Sequence, residues 1–219
     1  MLASEIAISN FPMLHFEDKV SFALQCMEDY DIQHLPLIKE DYFVGLVNKD
    51  DLLHLDGNQT LIHLANQLLR IGILGTAHFT TALNLFAKNE LSLLPVLNEQ
   101  QECIGVIAQK ILNDVLAKFL GVAEPGAMIV VSVSPYQYSL AELSRLVETN
   151  NAQITQLNTN FDETTGALII SIKLNKEEAD VIIATLQRYN YQVLHYFGNT
   201  ILHNDIEDHY HHLMNYLDV

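Results

Sequence analysis

Asn48 and Asp51 close the run "FVGLVNKDD" with a carboxamide and a carboxylate three residues apart. Both are strong hydrogen-bond acceptors, so the pair can hold a polar ligand. The same two residue types also stand where a helix begins, where they cap free N–H groups and suit the helix dipole. Both readings stay open from the residues alone. Sixty residues later "CIGVIAQKI" repeats the outline, with Gly105 answering Gly45, but Ala108 and Ile111 replace the polar pair. The frame is kept and the acceptors are dropped.

The elements that must position this frame are themselves duplicated. "VSFALQCMEDYDIQHLPLI" (20–38) superposes without a gap on "FTTALNLFAKNELSLLPVL" (79–97), and thirteen residues separate Ala23 from Pro36 and Ala82 from Pro95. Val20, Ala23, Leu24 and Met27 recur as one face of a helix, and Phe79, Ala82, Leu83 and Phe86 repeat that spacing. "HLPLI" and "FVGLV" are strands by length and composition, "KEDY" is the turn between them, and "DDLLHL" resumes helical spacing. Each copy therefore reads helix, strand, strand, helix. Pro36 and Pro95 fit an edge position or a strand entry, where no ladder hydrogen bond is lost.

Two such copies, with "LP" in the first strand and "GLVxxxDLL" in the second, resemble a pair of cystathionine β-synthase (CBS) domains, here residues 1–57 and 58–121. The resemblance implies a ligand site in which an Asp after the glycine strand holds the ribose of an adenosine ligand, preceded by a Thr or Ser. Repeat one keeps the carboxylate as Asp51 and offers Asn48 in place of the hydroxyl; Lys49, Leu35 and Pro36 complete the candidate set. Lys39, Lys49 and Arg70 are the local basic residues, so AMP, adenosine or an adenosyl compound fits better than ATP. Ala108 and Ile111 can hold neither ribose nor phosphate. The second site is expected to be a small cleft closed by side chains, with at most one nucleotide per chain and the second frame retained because the copies pack together.

After residue 121 the composition changes. "VAEPGA" (122–127) reads as a linker, and residues 128–198 read strand, helix, strand, strand, helix, strand, the split βαβ arrangement of ferredoxin-like folds. Ser139 is the expected cap of the first helix, ahead of Leu140, Leu143, Leu146 and Val147. This part resembles an ACT domain, and the whole order resembles the acetoin utilization protein family, which implies a regulatory protein. The turn "SPYQYSL" has neither the Asp nor the Gly of an ACT amino-acid site, and Tyr136 and Tyr138 are bulky where backbone approach is needed. Residues 199–219 read as an amphipathic helix; pairs such as Asp208 and His212 can share a metal, but a solvated polar face is the plainer reading, and no metal site is assigned.

The bounds on function agree with this α+β reading of tandem CBS domains, an ACT-like domain and a terminal helix. A formal charge of −16 with 11 Lys and Arg repels nucleic acid, and no apolar run reaches the ~20 residues of a membrane helix. "MLASEIAISN" does not read as a secretory signal, and Cys26 and Cys103 read as reduced, buried thiols, so a cytoplasmic protein is expected. GxSxG, HExxH and Gly-rich phosphate loops are all missing, which argues against an enzyme. The leading expectation is a non-catalytic homodimeric regulator sensing an adenosine-type nucleotide without further cofactor. The alternative is an oligomerisation module with both ligand sites degenerate.

Overall fold

The computed structural model describes residues 1–198, which fall into two compact units, Met1–Phe119 and a second that starts at Leu120. In the first, a short helix α1 (Ala3–Ile6) precedes α2 (Val20–Asp29), β1 (His34–Lys39), β2 (Tyr42–Asn48) and α3 (Lys49–Leu52). A 3-10 turn at Leu61–Leu64 leads into β3 (Ile73–Leu74), α4 (Phe79–Asn89), β4 (Leu93–Leu97), β5 (Cys103–Ala108) and α5 (Gln109–Phe119). The predicted faces are the buried ones: Val20, Ala23 and Met27 on α2 and Phe79, Ala82 and Phe86 on α4.

β1 and β2 pair antiparallel from His34↔Asn48 to Lys39↔Tyr42, and β4 and β5 from Leu93↔Ala108 to Leu97↔Cys103. The duplication extends further than the strands. Leu14 lies parallel to Leu37 of β1, and Ile73 lies parallel to Val96 of β4. Upstream, Ile8 pairs with Val106 of β5 while Leu69 pairs with Leu46 of β2. Each leader segment thus starts on the glycine strand of the other repeat and finishes beside its own first strand. The buried residues of both repeats form one cluster, with Leu35, Leu37, Leu93, Leu94 and Val96 among its fully buried members.

This crossing explains the two glycines. A Cβ at Gly45 would lie 2.6 Å from the Leu68 Cβ, and one at Gly105 would lie 2.7 Å from the Ile8 carbonyl oxygen. Any side chain there would push the leader off its ladder.

Two local expectations need correction. Pro36, paired with Leu46, lies in β1, an edge of its two-stranded sheet as expected, whereas Pro95, paired with Val106, lies in a central strand. Pro95 is tolerated inside the central strand β4 because the parallel pairing with β3 begins only at Val96, so no partner awaits its missing N–H. The turn expected at "KEDY" is in place, Lys39 pairing with Tyr42 around Glu40 and Asp41, with Glu40 at φ 58. The helix expected over "DDLLHL" stops at Leu52, since Asp56 and Gly57 follow and the Asp56 carboxylate accepts from the Asn58 N–H at 2.9 Å, an alternative to helix continuation. The freed loop is used: the Gly57 and Gln59 carbonyls accept from Ser21 and Val20, satisfying the start of α2, whose Lys19 cap offers no side chain.

The second unit runs β6 (Met128–Val133), α6 (Leu140–Glu148), β7 (Ile154–Asp162), β8 (Ala167–Leu174), α7 (Asp180–Arg188) and β9 (Gln192–Phe197). All pairings are antiparallel, in the order β7-β8-β6-β9. Alternate residues Ile129, Val131, Ile170 and Ile172 are buried with Leu143, Leu146, Val147, Ile182 and Leu186 of the helices. Ser139 caps α6, its hydroxyl accepting from Glu142 N at 3.3 Å. Leu140 departs from the expected stripe and stands 53% exposed. Among the described residues no helix is long and apolar enough to cross a membrane. The expected helix at 199–219 and its histidines lie outside the described residues.

Candidate functional site

Asn48 is the last residue of β2 and the N-cap of α3; its Oδ1 accepts from Asp50 N at 3.1 Å. Lys49 follows, half-buried, with its backbone N–H donating to the Gln33 carbonyl at 2.8 Å. Asp51 is exposed in the single turn of α3, and its carboxylate makes no hydrogen bond to the described residues. The structure thus gathers Asn48, Lys49 and Asp51 at one corner beside the start of β1. It separates Leu35 and Pro36 from them: both are buried in β1, and Leu35 belongs to the core.

The structure adds two residues that the sequence reading passed over. Ser92, one residue ahead of β4, sits against His34, the first residue of β1. Its hydroxyl oxygen accepts from Gln33 N at 2.9 Å and His34 N at 3.0 Å, and lies 3.1 Å from His34 Nδ1. The Ser92 N–H in turn donates to His34 Nδ1 at 3.3 Å. Nδ1 is therefore an acceptor, which puts the imidazole proton on Nε2 in the neutral ring. Burial pushes the His34 pKa below its ordinary value, against the opposing pull of the Asp50 and Asp51 carboxylates. The sole signal in the sequence was that Ser92 matches Gln33 in the repeat, and a contact across 58 positions is invisible to local periodicity.

The second repeat does not match its expectation. Ala108 and Ile111 line an open cleft of about 620 Å³ rather than a closed one. The expected filling fails because Ala108 has too little volume to plug the corner, and the polar groups beside it, Lys110 and Asp31, stay in water. Phe11 and Tyr30 form one wall, their ring centroids 4.9 Å apart, and α5 begins at the cleft with no acidic residue in its first turn. An aromatic wall, an ammonium and a helix N-terminus suit a planar anionic molecule.

Nucleophilic chemistry finds little here. Burial raises the pKa of both the Cys26 and the Cys103 thiols, keeping them protonated at neutral pH; neither is in a disulfide, and Cys103 is half-buried rather than buried. The described residues hold no group of three His, Cys, Asp or Glu placed to bind a metal ion.

Comparison with known proteins agrees with the duplicated architecture. Residues 3–58 match the CBS domain family. A CBS domain pair/ACT domain protein from Thermotoga maritima is 26% identical with a TM-score of 0.51, over 55% of this chain and 99% of that one. A Vibrio cholerae protein named for acetoin utilization is 18% identical over 57% and 96% of the two chains, with a TM-score of 0.48. CBSX2, solved in complex with AMP, is 18% identical over 54% and 97%, with a TM-score of 0.47. The chain therefore carries a CBS domain at residues 3–58, in a mixed α+β protein with the fold of a CBS domain pair.

Proposed function

We propose that the protein is a non-catalytic cytoplasmic regulator that binds an adenosine-type nucleotide (AMP, adenosine or an adenosyl compound) at the first CBS repeat. The observation that carries this reading is the division of labour between two neighbours. Asn48 alone makes the helix cap, and Asp51 is left exposed with its lone pairs uncommitted to the described residues. A carboxylate so placed can accept from both hydroxyls of a ribose, with Lys49 beside it for a single phosphate. The corner adjoins the Gln33–His34–Ser92 hydrogen bonds that join the repeats, so a ligand there would bias how the pair packs. The ACT-like second unit would sense or transmit that bias, and the working form would be a homodimer, as light scattering can test.

A second reading is favoured by the open cleft beside Ala108 and Ile111, which offers volume without a carboxylate at the ribose position. Calorimetric titration with AMP separates the two. One nucleotide per chain, lost in Asp51→Ala, supports the first repeat. Binding retained in that variant, or a second equivalent, moves ligand to the second cleft. No heat with AMP, adenosine or an adenosyl compound leaves the interaction module.

A further inference from the structure

The second unit buries an ammonium that meets one acceptor among the described residues. Lys173 lies between Ile172 and Leu174, whose side chains face the helices, so its own stem leaves the opposite face of the sheet. It is only 7% exposed. Its Nζ donates to the Gly121 carbonyl, which uses one of the three donors of an ammonium. No acceptor for the other two and no ion pair is formed with the described residues, and Glu124 stays outside ion-pair distance. Desolvating a charge this way is unfavourable unless an anion or further acceptors meet it.

What it borders is an open cleft of about 590 Å³. Asn158 and Ser171 are register partners on the same sheet face, two residues along from Lys173, and both line the cleft. Val122, Met128 and Phe197 supply apolar surface around it. One ammonium with a carboxamide and a hydroxyl matches a singly charged carboxylate. A phosphate dianion would face one cation in a chain of net charge −16, with the Glu124 carboxylate on the rim.

We propose that this cleft binds a small monocarboxylate with an apolar body, its carboxylate on Lys173, Asn158 and Ser171 and its body against Val122, Met128 and Phe197. The site is independent of the nucleotide reading of the CBS repeats.

The test is calorimetry on the full chain with 4-methylpentanoate, its uncharged amide 4-methylpentanamide, and inorganic phosphate. The carboxylate should bind once per chain, and the amide and phosphate should bind at least about tenfold more weakly. Lys173→Met should weaken the carboxylate at least about tenfold while leaving any AMP titration unchanged, so failure here and failure of the nucleotide reading are distinguishable. Val122 is 67% exposed, so Val122→Asp keeps the fold and sets a repelling carboxylate at the mouth; it should weaken binding even if Lys173→Met does not fold. No heat with 4-methylpentanoate up to about 20 mM, equal binding of the amide, tighter binding of phosphate, or full affinity in either variant would overturn the proposal.

Discussion

Ser92 of the second repeat clasps His34 of the first through both backbone and side chain, with Oγ 3.0 Å from His34 N and 3.1 Å from His34 Nδ1. The same oxygen serves Gln33 N at 2.9 Å. Ser92→Ala removes the acceptor of two backbone donors and leaves His34 Nδ1 with the Ser92 N–H alone. We expect a loss of about 2–3 kcal/mol in urea unfolding, more than an ordinary exposed substitution. A change below about 0.5 kcal/mol would mean that water replaces the hydroxyl without cost.

His34 makes that junction sensitive to pH. Its folded pKa is lowered, chiefly by burial, so the unfolded chain takes up the proton first as pH falls. The stability held by neutral His34 is complete above the unfolded value near 6.5 and declines from there down to the folded pKa. His34→Gln removes the titration. The melting temperature of the native chain should fall more steeply than that of the variant between pH 7.5 and pH 5, and parallel curves would contradict the shift.

Gly45 and Gly105 should resist even a methyl group. Gly45→Ala meets the Leu68 Cβ at 2.6 Å and Gly105→Ala meets the Ile8 carbonyl at 2.7 Å. Each should cost about 1–3 kcal/mol of unfolding free energy, with Gly105 the worse because backbone must move. Chemical denaturation that found either variant as stable as the native chain would show that the leaders do not lie on these strands in solution.

Asn48 and Asp51 should separate cleanly in mutation. Asn48→Ala removes the cap of α3 and should cost about 1 kcal/mol of stability. Asp51→Ala, exposed and unbonded to the described residues, should leave melting almost unchanged yet weaken AMP by roughly thirtyfold, equivalent to about 2 kcal/mol of lost ribose hydrogen bonds. Melting lowered equally by both, with AMP affinity untouched, would make both residues structural.

Much of the secondary structure was legible in the residues because its causes are local. The spacing of Val20, Ala23 and Met27 marks one helical face, and each buries the same residues in the fold. Alternation in "MIVVSV" and the Ser139 cap were likewise readable within a turn or two. The duplication itself is a one-dimensional fact, and with it came the expectation of two similar units packing together.

What only the tertiary structure decided are contacts whose energy depends on distant partners. Gly45 and Gly105 were visible as a repeated mark, but their reason lies in Leu68 and Ile8, each from a leader crossing to the other repeat. Pro95 was expected where no ladder bond is lost; that it sits inside a central strand depends on β3 starting its pairing one residue later. Ile111 in place of an acidic residue was read as a plug, yet an open cleft remains, since volume is set by all the walls and not by one side chain. Nothing in the sequence around Lys173 marks it as buried. In the fold it is 7% exposed, with its ammonium on the Gly121 carbonyl, because desolvation is a property of the assembled surroundings and not of the residue.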